Sequence, residues 1–169
     1  GVDTQELEEM QQEVRAELIE QNRQALYQNE QNALALEFFG AGSKTHAKAQ
    51  KKLIAETRRQ LMVQAGALGR PYSEQEIAEI RLAALEEIRE RLEDERQRLE
   101  YQLELFKTSG VEQMQMGEKV LTRKDLEIQL EKTKGYLAKA ERIKEKLLKQ
   151  LEKSDVKIAD PLKKKAYVA

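Results

Sequence analysis

Few residues of this chain could carry out chemistry, and the first of them lie together at one break. Gly40-Ala41-Gly42-Ser43-Lys44-Thr45 ends as a phosphate-binding loop does. Such a loop needs Gly-x4-Gly-Lys-Ser/Thr after a strand, so that backbone N–H groups and the lysine wrap the phosphates. Here Ser43 stands at the second glycine position, Glu37 at the first, and the preceding segment is helical in pattern. A glycine hinge followed by a serine helix cap is the better reading. Free N–H groups beside Lys44 could still attract an anion there. His46, the single histidine, has no Ser, Cys or second His at a matching helical spacing. It is expected to be a solvated first-turn side chain, not a general base. Glu86-Glu87 and Glu93-Asp94-Glu95 lack the glycine-bearing loop of a calcium site and alternate with Arg89, Arg91 and Arg96, which is the pattern of a solvated helix face. The absence of cysteine removes thiolate metal sites, disulfides and cysteine nucleophiles. The expectation is a non-catalytic chain with no metal and no cofactor.

Binding offers more material. Lys44, Lys48, Lys51, Lys52, Arg58 and Arg59 form a basic run, and Lys163-Lys164-Lys165 lies near the chain end. Phosphates are bound by such clusters. However, no aromatic residue interleaves with these bases for stacking, and the flanking acidic segments repel a duplex. Nucleic acid or an anionic membrane surface therefore ranks behind protein partners, which could be copies of this chain or other subunits. Leu34, Leu36, Phe38 and Phe39 make the densest apolar cluster in a chain with 5 Tyr and 3 Phe. They form either a small core where the chain turns or an anchor inserted into a neighbour. Met114 and Met116, in an interhelical loop, offer adaptable contacts.

The elements that must position these residues are helices. Charged residues make up 36% of the chain, aromatics only 5%, and Ala, Glu, Leu, Lys and Arg dominate, the composition of long helices. No alternating Val, Ile or Thr run supports a sizeable sheet. Three helix starts carry a capping oxygen three residues before a carboxylate: Asp3 with Glu6, Ser73 with Glu76 and Thr122 with Asp125. Each is reinforced by an apolar pair across the cap, Val2 with Leu7, Tyr72 with Ile77 and Leu121 with Leu126. The spacing predicts helix A over Asp3–Phe39, B over Ser43–Leu68, C over Ser73–Lys107 and D over Thr122–Lys153. Glycine-bearing breaks separate them, and Asp160-Pro161 is expected to end regular structure. Narrow apolar seams run along each: Leu7, Met10, Val14 and Leu18 begin that of A, and Ala47, Ile54, Leu61 and Leu68 keep a strict seven-residue step in B. The middle of A interrupts its seam with Gln21, Asn22, Gln28, Asn29 and Asn32, which are expected on a polar surface.

Charge divides the chain at the same breaks. Residues 1–40 carry a net charge of −7, residues 41–70 +6, residues 71–110 −5 and residues 111–169 +5. The expected organisation is an acidic helix with its hinge over 1–42, a basic helix over 43–70, an acidic helix over 71–110, a loop and basic helix over 111–153, and an extended arm over 154–169. Adjacent blocks attract if the chain folds back, whereas a continuous rod from A into B would present each block to another molecule. Phe38 to Glu56 resembles helical segments of phage tail tape-measure proteins over less than an eighth of the chain, with no functional motif to carry over. No stretch approaches 18 consecutive apolar residues, and the first twenty are acidic, unlike a signal peptide. A soluble intracellular or organellar assembly is expected in preference to a secreted one. The start at Gly1 is compatible with processing, a tag scar or a fragment. The expectation is an all-α fold of four long amphipathic helices, as helical hairpins or an open coiled-coil bundle. It would serve as a structural scaffold subunit; the alternative is a nucleic-acid or virion-internal packing protein using the basic segments.

Overall fold

The computed structural model describes the backbone of residues 3–168 and the side chains of residues 3–153. In chain order the elements are α1 (Thr4–Phe39), α2 (Lys44–Ala67), α3 (Glu74–Ser109), β1 (Gln113–Met116), β2 (Lys119–Thr122) and α4 (Arg123–Val168). The fold is all-α, with one two-stranded ribbon among the described residues. Two compact units divide it, Gly1–Ala84 with Leu147–Ala169, and Leu85–Lys146.

The helix starts follow from their caps. Ser73 and Glu76 form a reciprocal box: the Glu76 N–H donates to Ser73 Oγ at 3.1 Å, and the Ser73 N–H donates to Glu76 Oε1 at 3.4 Å. Partial burial pushes the Glu76 carboxyl up, but bonds from Arg70 and Ser73 outweigh it and hold the group below its ordinary value. Thr122 Oγ1 accepts from the Asp125 N–H at 3.1 Å, and Ser43 Oγ from the His46 N–H at 3.1 Å. At Asp3 the carboxylate takes the Gln5 N–H at 3.4 Å instead of the third-residue donor of a full box.

In the first unit, α1 and α2 form an antiparallel hairpin, so the continuous rod is excluded. Gly40 and Gly42, at φ 74° and 85°, reverse the chain in a region that L side chains rarely enter. At its other end α2 closes on a Schellman cap: Gly69, at φ 78°, donates to the Gly66 carbonyl, and the Arg70 N–H donates to that of Ala65.

In the second unit, the portions of α3 and α4 that belong to it enclose a core of Leu99, Leu103, Phe106 and Leu126. The turn between these helices is the ribbon, where a loop was expected. β1 and β2 pair antiparallel with Met114 opposite Leu121, and both side chains pack against that core. Gly117, at φ 63°, opens the two-residue connection. Arg89 pairs with Glu141, and Lys144 Nζ lies 3.1 Å from Glu86 Oε1, so acidic residues of α3 and basic residues of α4, and the reverse, meet across the seam.

One boundary differs from the sequence reading. The backbone of α4 continues as helix to Val168, where an extended arm was expected over 154–169. Pro161 removes one backbone donor, but the Ala, Leu and Lys residues around it are strong helix formers.

Candidate interaction surfaces

The α1/α2 contact is built on polar side chains that sequence reasoning placed on a solvated surface. Asn22 is 3% exposed and Asn29 5%, while Gln21, Gln28 and Asn32 are exposed as expected. Arg15 Nε donates to the Leu68 carbonyl at 2.9 Å, Asn22 Nδ2 to that of Leu61 at 3.0 Å, and Asn29 Nδ2 to that of Ile54 at 3.0 Å. The donors step by seven up α1 and the acceptors step by seven down α2, which makes a ladder of constant register. A helical carbonyl that already accepts its own backbone bond retains a second lone pair, and it is this that the asparagines use. The Leu68 carbonyl is among the orphan acceptors at a helix end, where a guanidinium is also favoured by the helix dipole. Asn22 Nδ2 further donates to Gln64 Oε1 at 2.9 Å. The apolar seven-residue step of α2 thus marked the correct face, but its partners are asparagine and arginine as well as leucine.

Beside the ladder sits Glu30, fully buried. Arg58 of α2 holds it through Nε at 2.6 Å and Nη2 at 3.1 Å, and Arg81 of α3 through Nε at 2.9 Å. Arg58 belongs to the basic run expected to bind a partner, which was also expected to attract acidic helix A if the chain folds back; here it is engaged by Glu30 of α1. Arg59 pairs with Glu56 one turn away, and that hydrogen bond, ahead of the opposing desolvation, holds the Glu56 carboxyl below its ordinary range. Lys48, Lys51 and Lys52 are exposed on α2. Lys163, Lys164 and Lys165 lie outside the residues whose side chains are described. The basic run is therefore not one surface: its two arginines are engaged by carboxylates of the chain.

The apolar cluster at the end of α1 is also divided. Leu34 and Phe38 are buried, Leu36 is half-buried, and Phe39 is exposed beside an open groove of 530 Å³ that Leu36, His46, Gln50 and Leu53 also line. Burial of Leu34 and Phe38 corresponds to the small core at the turn. Met116, at the tip of the ribbon, is exposed.

A further surface was legible only as part of a seam. Leu7, Met10, Val14 and Leu18 are 48%, 58%, 57% and 40% exposed, and every residue from Asp3 to Leu18 is exposed. Steps of three, four and four place the four side chains on one face of α1. The ladder explains why nothing in the hairpin covers Leu7, Met10 and Val14, whereas Leu18 lies at the edge of the hairpin beside the last turn of α2. Arg15 faces Leu68, the residue that caps α2, so α1 from Thr4 to Val14 runs past the end of α2 for about 16 Å at helical rise. Six glutamates flank this stretch between Thr4 and Glu20, with Arg15 as its one base.

Among the described residues, no cluster of His, Cys, Asp or Glu could hold a metal ion, and no helix is long and apolar enough to cross a membrane. Compared with protein families, curated proteins and solved structures, the chain has no match.

Proposed function

We propose that this chain is a non-catalytic scaffold subunit that joins an assembly through helix-to-helix contacts, with the N-terminal part of α1 as its docking element. The observation that carries the reading is the exposed row of Leu7, Met10, Val14 and Leu18 on a helix continuing beyond its hairpin partner. Four large apolar side chains in register are what a partner helix buries. Engagement of Arg58 and Arg59 by Glu30 and Glu56 leaves the packing alternative, in which the basic segments grip nucleic acid, with less of its surface.

The test is Leu7→Glu combined with Val14→Glu. Both positions are exposed, so helicity by circular dichroism is expected to stay within a few per cent of the parent. The protein partner retained by the native chain under gentle purification is expected to be lost in the variant. In the parent it is expected to survive about 500 mM salt, conditions in which phosphate binding falls by orders of magnitude. A partner retained by the variant, or a nucleic acid that leaves as salt rises, overturns the reading.

A further inference from the structure

We infer that the occupant of the exposed α1 face is an amphipathic helix with basic flanks, not a second copy of the same segment. This inference rests on the scaffold reading and names the chemistry of its partner. Two features of the structure carry it. The first is continuity: the exposed row runs in four-residue steps from Met10, Val14 and Leu18 into the buried Asn22 and Leu26, so a second helix laid on Leu7 to Val14 continues a stripe that is buried farther along α1. The second is charge. Glu6, Glu13, Glu17 and Glu20 line one side of the row at helical spacing. An antiparallel copy of this segment would set these glutamates against each other and a parallel copy would meet them with Gln11 and Leu18, so neither supplies a cation, whereas Lys or Arg at the edge of a partner helix would face them with opposite sign. Apolar burial would then supply affinity, and the flanking charges would choose the partner.

The probes are two labelled peptides of roughly 20 residues, long enough to form a helix when bound. They share one apolar row of Leu and Ile and differ only in their flanks, Lys in one and Glu in the other. Against the full chain, fluorescence anisotropy is expected to give a dissociation constant on the order of 10 µM for the Lys peptide and at least about tenfold weaker binding for the Glu peptide. Val14→Glu is expected to weaken the Lys peptide by about tenfold or more, and raising salt from about 50 to 500 mM to narrow the gap between peptides without abolishing binding. Equal binding of both peptides, failure of both, or indifference to Val14→Glu overturns the inference. So does a concentration-dependent dimer in sedimentation that Val14→Glu dissolves, because a second copy would then be the occupant. If the native partner is lost in the Leu7→Glu, Val14→Glu variant while the peptides show no charge preference, the scaffold reading stands and the partner chemistry fails.

Discussion

Glu30 is a fully buried carboxylate paired with two guanidinium groups. A fully buried carboxylate is tolerated because Arg58 and Arg81 meet it with three hydrogen bonds from two different helices. Such a group adds little net stability over an apolar residue of its size, since desolvation cancels much of the attraction, but it is costly to orphan. Arg58→Ala or Arg81→Ala alone leaves one guanidinium in place. Both together leave the carboxylate without a cation, and urea denaturation is expected to show a loss of about 3–5 kcal/mol, more than the two single losses combined. Adding Glu30→Met to the double variant is expected to recover most of that loss. Small, additive losses would mean instead that water reaches Glu30.

At the scale of elements, the α1/α2 hairpin uses asparagine where leucine would bury more apolar surface. An Asn hydrogen bond contributes about 0.5–1.5 kcal/mol net, so the ladder is poorly explained as a source of stability. Its value is register: slipping α2 by one turn would separate Asn22 and Asn29 from the Leu61 and Ile54 carbonyls and strand two amides in an apolar seam. Asn22→Leu with Asn29→Leu is therefore expected to leave the unfolding midpoint unchanged or raise it, while loosening the alignment. Spin labels at the exposed positions Glu20 and Val63, introduced cleanly into a chain with no cysteine, are expected to give one narrow distance in the parent and a broader distribution in the variant. An equally narrow distribution would assign register to the apolar residues alone.

Over the whole molecule, burial is uneven. Leu26, Ala84, Leu85, Leu99 and Ala140 are fully buried, whereas the stretch from Asp3 to Leu18 has no buried residue. An isolated helical segment of this length is marginal in water because few bonds offset the cost of its nucleus. Amide hydrogen exchange is therefore expected to proceed fastest over Thr4 to Val14 among the helical amides of 4–153 and slowest in the cores around Leu26 and Leu99. Addition of the basic amphipathic peptide is expected to slow exchange in the first stretch and to leave the Leu99 core unchanged. Uniform protection along α1 in the free chain would contradict the exposed face.

The helices themselves are a local matter. Ser73 with Glu76, Ser43 before Lys44 and Thr122 before Asp125 act within four residues of chain, and each places its helix start within one residue of the observed one. Composition likewise settled the all-α class, and the seven-residue step of Ala47, Ile54, Leu61 and Leu68 marked the face of α2 that meets α1. Three features depended on partners distant in sequence. Asparagine carries the same hydrogen-bonding groups in water as in a seam, so only the approach of α2 shows that Asn22 and Asn29 are interior. A basic run has the same sequence whether its arginines face phosphate or a buried glutamate, and Arg58 is assigned by a residue 28 positions away. The ribbon between α3 and α4 has strands of four residues, too short for alternation to mark them in the sequence, and it holds because Met114 and Leu121 complete the Leu99 core. The apolar row from Leu7 to Leu18 is plain in the sequence, but that Leu7, Met10 and Val14 lie uncovered follows from where α2 ends relative to α1. Pairing geometry decides this, because local propensity specifies where a helix begins and which face is apolar but carries no information on how far its neighbour extends.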